Sequence, residues 1–161
     1  MSSAPGEGTT FQVFLPCSLE RPTKTDGVIT SAGVERSDAR VATILIVEDE
    51  ETLRLAVAKG LRRRGFSVIE ASNGSEAMHV LGTHADEIDG VLLDVTIPGT
   101  SSREIFYKIQ KTGPDLKVIV TSAYSKETVD TFFTGLRIDH FIRKPFQLAD
   151  LVSLLQGAVS A

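Results

Sequence analysis

A single cysteine, Cys17, cannot close a disulfide within its own chain, so burial and hydrogen bonding have to hold the fold together. One lone thiol also fits a reducing compartment, and the expected location is cytoplasmic. Charge of one sign is scarce as well: 17 Lys and Arg against 21 Asp and Glu leave −4 with histidines neutral. So small an excess argues against nucleic acid or an anionic membrane as a partner held by bulk electrostatics. No apolar run approaches the roughly 20 residues needed to cross a bilayer, so no membrane contact is expected of this chain. The opening Met1-Ser-Ser-Ala-Pro-Gly-Glu-Gly8 has neither the basic region nor the apolar stretch of a secretion signal. What is present is ordinary for a globular protein. With 42% hydrophobic and 24% charged residues in 161, one domain with some chain left over is expected.

The composition changes near residue 42. Residues 17–42 are rich in Ser, Thr, Gly and mixed charge and show no sustained apolar period. Such a stretch buries too little area to offset its ordering entropy and reads as a flexible linker. From Thr43 onward, β-branched runs alternate with helical patterns. The strands expected are Thr43–Val47, Phe66–Ala71, Gly90–Asp94, Leu116–Thr121 and His140–Arg143. Between and after them, apolar residues recur three or four apart: Leu53, Val57 and Leu61; Ala77 and Val80–Leu81; Ile105 and Ile109; Val129, Phe132–Phe133 and Leu136; Leu148, Leu151, Leu155 and Val159. Gly65 closes the first helix, Asn73-Gly74 reads as a turn, and Gly113-Pro114 ends the third helix. Five strands alternating with five helices over about 120 residues predict an α/β fold. Its form is a doubly wound five-stranded parallel sheet with helices on both faces, in the flavodoxin-like order 2-1-3-4-5.

Three of these strands run into charge. Thr43–Val47 leads into Glu48-Asp49-Glu50, Val91-Leu-Leu93 into Asp94, and Phe141-Ile142 through Arg143 into Lys144-Pro145. Singly, each has a plain explanation. The acids suit a helix start, Asp94 suits a turn, and proline opens helices. Together they are harder to dismiss, because an open parallel sheet binds its ligands beyond the carboxyl ends of its strands. Carboxylates gathered there need a counter-charge to stay ionised. Hard oxygen ligands in this number favour Mg²⁺, and a carboxylate attacking phosphorus needs the incoming oxygens neutralised by metal, ammonium and hydroxyl donors. Lys144 offers the ammonium, and Thr121-Ser122 at the end of the fourth strand offers hydroxyls.

In these segments the chain resembles the receiver domain of two-component response regulators, over roughly Thr43 to Ala158. The resemblance implies that Glu48 and Asp49 hold Mg²⁺ together with Asp94 and the backbone carbonyl of Thr96. It implies that Asp94 is the phosphorylated aspartate, assisted by Lys144, and that Ser122 bonds the phosphoryl group on activation. Phe141 stands where the family carries its rotating aromatic. Lacking a tyrosine hydroxyl, it would switch by packing alone. The sequence departs from the family after Asp94-Val-Thr-Ile-Pro-Gly99, where Thr100-Ser101-Ser102 replaces a pattern that usually ends in glycine. A differently shaped loop is therefore expected beside Asp94. His79, His84 and His140 read as surface or core residues.

Residues 1–16 are not linker-like. Gly6-Glu-Gly8-Thr9-Thr10-Phe11 leads into Phe11, Val13 and Leu15 at period two, a strand signal. The string resembles the last glycine box and final strand of histidine-kinase ATPase domains. It implies that the chain is the tail of a hybrid histidine kinase: a remnant over 1–16, a linker over 17–42 and a receiver over 43–161. No complete kinase or nucleotide site is then expected in the chain itself, only gain and loss of a phosphoryl group at one aspartate. The implied partners are a phosphohistidine donor domain and a histidine phosphotransfer protein, and the parent kinase would be cytoplasmic or membrane-attached. Two alternatives stand beside this reading. One is a free-standing regulator that binds a partner protein. The other is a Mg²⁺-dependent phosphatase with an aspartate nucleophile, although those enzymes usually carry Asp-x-Asp on the first strand.

Overall fold

The structure, a computed structural model, describes residues 2–4, 8–10, 41–113 and 116–159. The chain divides into two units, residues 1–37 and 38–161. In the first, Ser2–Ala4 pairs antiparallel with Gly8–Thr10, with Ser3 opposite Thr9. Of the glycine-rich stretch, Gly8–Thr10 is described and forms a short strand. Phe11, Val13 and Leu15 lie outside the described residues, as does the linker up to residue 40.

The second unit is a five-stranded parallel sheet. Its strands are β1 (Thr43–Val47), β2 (Ser67–Ala71), β3 (Gly90–Asp94), β4 (Lys117–Ser122) and β5 (His140–Arg143). Its helices are α1 (Glu51–Arg62), α2 (Gly74–Thr83), α3 (Ser102–Thr112), α4 (Lys126–Phe132) and α5 (Leu148–Val159). The strands lie in the order β2-β1-β3-β4-β5, the flavodoxin-like 2-1-3-4-5 read from the sequence. Strands β2 and β4 each begin one residue later than expected, and β4 continues through Ser122. The fourth helix stops at Phe132, so Phe133 caps it and Leu136 falls in the following turn.

Period-two alternation sorts the core into two layers. Leu45, Val47, Val91, Leu93, Val118 and Val120 pack with Ala77, Leu81, Ile105, Ile109, Val129 and Phe133 from α2, α3 and the α4 end. Ile44, Ile46, Leu92, Ile119 and Ile142 meet Val57, Leu61, Leu151 and Leu155 from α1 and α5. Each fully buried Leu or Ile contributes about 1.5–3 kcal/mol, and there are enough of them on both faces to fix the register. Phe106 and Phe133 meet edge to face with centroids 5.3 Å apart, which anchors α3 against the end of α4.

The ends of the elements explain how the loops above the sheet are held. Asn73 does not form a turn with Gly74. Its side chain caps α2 by accepting from the Glu76 amide at 2.9 Å, and Gly74 is the first helical residue. Gly74 donates its amide to the Pro98 carbonyl at 2.9 Å, so α2 starts against the loop that follows β3. Ser101 and Glu104 form a capping box at the start of α3. Gly99, at φ +83°, makes the bend between these two contacts. The Lys144-Pro145 peptide after β5 is cis.

A Cβ on Gly74 would run into the Thr100 backbone carbonyl, whereas one on Gly82 would meet nothing within 4 Å. Gly74→Ala should therefore lower stability by about 1–3 kcal/mol through overpacking. Gly82→Ala should raise it by up to about 1 kcal/mol through helix propensity. Urea midpoints of the two variants check both signs.

Candidate functional site

Hydrogen bonding between strands carries the three charged ends to one edge of the sheet. Val47 sits in register with Leu93, so the residues that follow, Glu48 and Asp94, leave the sheet side by side. The Glu48 amide donates to the Ala71 carbonyl at 3.1 Å, extending the β1–β2 ladder by one residue. The Lys144 amide likewise donates to the Ser122 carbonyl at 2.8 Å, which holds the lysine at the top of β5.

From there the Lys144 ammonium reaches across β4. Its Nζ lies 2.6 Å from Glu48 Oε2 and 3.0 Å from Asp94 Oδ2. Glu48 and Asp94 are both buried, at 6% exposure, so neither carboxylate has bulk water as its main partner. Asp49 is exposed, yet an oxygen from each of Glu48, Asp49 and Asp94 falls within 4.8 Å of the others. Three hard oxygen donors at this spacing fit a divalent cation that keeps part of its hydration shell, which is the habit of Mg²⁺.

Electrostatics follow from burial. Desolvation pushes the Glu48 carboxyl above its ordinary value, and the neighbouring Asp94 charge adds to this. The Lys144 hydrogen bond and the Glu50 amide oppose it without cancelling it. Burial disfavours the charge on Lys144, but its hydrogen bonds to Glu48 and Asp94 outweigh that and hold the ammonium above its usual range. The site in the absence of metal is therefore a compensated charge cluster, with its acid side under strain from burial.

The acidic run divides by role. Glu50 is the N-cap of α1 and makes no side-chain cap hydrogen bond, so helix capping does not account for these acids. Thr96, two residues past Asp94, is exposed and lines a cleft of about 440 Å³ with Val95, Ser102, Tyr124 and Phe132. Ser122 is buried at 1% exposure, and its Oγ accepts from the Tyr124 amide at 3.1 Å. Phe141 is half-buried and packs on the α2–α4 core layer. Ser102, which stands where the family pattern has glycine, begins α3 in an ordinary backbone conformation. Its hydroxyl donates to the Val95 carbonyl at 2.8 Å and ties the loop back to β3.

One neighbour escaped the sequence reading. Arg54 Nη1 donates to the Glu48 carbonyl at 2.8 Å and approaches the Asp49 carbonyl at 3.4 Å. The only signal for it was an arginine one turn into a helix that opens on acids.

Fold and site together define a doubly wound α/β domain with an acid–lysine pocket at the carboxyl edge of its sheet. The chain belongs to the response regulator receiver domain family, whose sequence profile matches residues 44–156. It is 34% identical over 158 residues to the sensor kinase CckA of Brucella abortus, a match covering 94% of this chain and 16% of the kinase. A receiver domain protein from Clostridium thermocellum superposes with a TM-score of 0.69 at 25% identity, covering 74% of this chain and 95% of that one. The response regulator TrrA of Thermotoga maritima, solved in complex with Mg²⁺-BeF, superposes with a TM-score of 0.63 at 28% identity. That match covers 73% of this chain and 99% of TrrA. The chain spans between 16% and 52% of the length of three curated relatives it matches. Receiver domains act in two-component signalling, take phosphate from histidine kinases and bind Mg²⁺ at their acidic pocket. Among the described residues, no helix is long and apolar enough to cross a membrane.

The raised Glu48 pKa fixes the sign of a stability test. A carboxyl whose folded pKa exceeds its unfolded one keeps its full contribution below about 4.5 and loses it as pH rises through the folded value. With a chelator present, Glu48→Gln should gain stability relative to the parent as pH is raised from 4.5 to 7. Denaturant midpoints across that range check this. A growing deficit would mean that the Lys144 pair outweighs the burial of Glu48.

Proposed function

We propose that Asp94 is a phosphoacceptor, taking a phosphoryl group from a phosphohistidine in a Mg²⁺-dependent two-component phosphorelay. The observation that carries this reading is a buried aspartate at the end of β3, held at 3.0 Å by Lys144 beside two further carboxylates. An Asp94 carboxylate oxygen would attack phosphorus as the phosphorus–nitrogen bond to the imidazole breaks. The histidine nitrogen keeps the bonding pair and the aspartate becomes an acyl phosphate. Lys144 offsets charge on the transferring oxygens. Glu48, Asp49, Asp94 and the Thr96 carbonyl would hold Mg²⁺, which supplies further neutralisation at the phosphoryl group.

After transfer, Ser122 can exchange its bond with the Tyr124 amide for one with the phosphoryl oxygens. Donation to an anion is about twice as strong as a neutral hydrogen bond, which favours the exchange. That movement would drag the β4–α4 loop and open space next to β5 for Phe141. Differential contacts of about 1–3 kcal/mol suffice to shift such a two-state equilibrium roughly 5–150-fold. The output would be a changed surface of α4, β5 and α5.

As parent, a hybrid histidine kinase is favoured over a free-standing regulator. Residues 41–161 make up only 121 of the 161, whereas the match to the sensor kinase covers 94% of the chain. It therefore extends into the first 40 residues, where the glycine-box resemblance lies. The coding sequence upstream of Met1 distinguishes the two parents directly.

Incubation with a small acyl phosphate and Mg²⁺ should raise the intact mass by one phosphoryl group. Asp94→Asn should abolish the increase, and Asp49→Ala should reduce it at least tenfold in rate while leaving metal-free stability unchanged or higher. Undiminished labelling of Asp94→Asn would move the acceptor elsewhere.

A further inference from the structure

We infer that Arg54 is a positioning residue for the metal-binding acids, held in turn by Glu70 on the edge strand of the sheet. The inference rests on reading Glu48 and Asp49 as metal ligands. Arg54 occupies the first turn of α1, directly after the acidic run, and its side chain is only 13% exposed. Its Nη1 donates to the Glu48 carbonyl at 2.8 Å and lies 3.4 Å from that of Asp49. On its other side, Nε lies 3.7 Å from Glu70 Oε2 on β2. Glu70 is fixed independently, because Arg62 Nη2 reaches its Oε1 at 2.9 Å and the Val68 carbonyl at 3.0 Å. Arg54 and Arg62 are eight residues apart and so share one face of α1, with Glu70 between them.

This geometry does a specific job. The backbone at Glu48 and Asp49 is the joint between β1 and α1, and α1 begins there without a side-chain cap. With the two carbonyls pulled toward α1 by a planar guanidinium, the two carboxylates have one backbone frame from which to point at Asp94. Arginine suits the task because its fork can serve the carbonyls and Glu70 at once, which a lysine cannot do. Groups that orient the ligands of a metal typically cost 10–100-fold in metal affinity when lost.

The charge of Arg54 works the other way, and this separates positioning from plain electrostatics. A guanidinium close to a cation site repels the cation, so its removal by charge alone would tighten Mg²⁺ binding. Arg54→Met keeps most of the aliphatic stem and removes the donors. Mg²⁺ titration of the full chain by calorimetry should show about a 10-fold weaker Kd for this variant. Glu70→Ala, which touches no proposed ligand, should weaken Mg²⁺ binding by a smaller factor. The double variant should be no weaker than Arg54→Met alone, since Glu70 acts through Arg54. Unchanged or tighter binding in Arg54→Met, or additive losses in the double variant, would overturn the inference. If Arg54→Met does not fold, an unchanged Kd in Glu70→Ala does so. A parent that binds no Mg²⁺ and accepts no phosphoryl group would instead remove the reading of the site on which the inference stands.

Discussion

The ammonium of Lys144, set between the carboxylates of Glu48 and Asp94, is the contact on which the upper edge of this domain depends. Two buried like charges with no partner would each favour protonation or exposure, and either would pull apart the ends of β1 and β3. Unit charges 4 Å apart at a protein-like effective dielectric interact by about 4 kcal/mol, and removing one member of a buried pair typically costs 3–5 kcal/mol. The lysine comes from the far side of β4, so its reach also fixes β5 relative to the centre of the sheet. The compensation is conditional, however, because an ammonium is one of several cations that can satisfy the same oxygens. A cluster held in that way is stable yet open to a change of counter-charge. This property suits a site that gains and loses a phosphoryl group.

Where this architecture was legible, the physics was local. Thr43–Val47 and Gly90–Asp94 are short β-branched or apolar runs ending in acids, and the structure has them with those bounds. Leu53, Val57 and Leu61 share one face of α1 and pack on one layer of the core, as their spacing predicts. Boundaries set by neighbouring strands were less legible. Strand β4 runs on through Ser122 because its carbonyl is needed by the Lys144 amide, a partner 22 positions along the chain. The fourth helix ends before Leu136 because Phe133 turns into the core at 0% exposure while Phe132 stays outside. Spacing alone does not tell those two phenylalanines apart.

The site shows the same division. Convergence of Glu48, Asp94 and Lys144 could be read from strand ends and a topology rule. The separation of Glu50 from the other acids came from the family resemblance and not from spacing, because it depends on the turn into α1. The loop after Asp94 was expected to depart from the family shape for want of a glycine. There Ser102 takes an ordinary helical conformation and uses its hydroxyl to bond the Val95 carbonyl. The bend is made three residues earlier, by Gly99. Arg54 was missed because its partners are backbone carbonyls, and a sequence carries no mark of which carbonyl is left without a donor.

Exchange of counter-charge is the central claim, and Mg²⁺ affinity in a Lys144→Met variant tests it most directly. Titration belongs at a pH well above the carboxylate range, so that protons do not compete for Glu48. If ammonium and metal are alternative counter-ions for the same oxygens, loss of the ammonium leaves the carboxylates undercompensated. Mg²⁺ should then bind at least as tightly as in the parent, and by linkage should stabilise the variant more. Weaker binding in Lys144→Met would contradict the account, because Lys144 would then be a scaffold for the metal site rather than its rival.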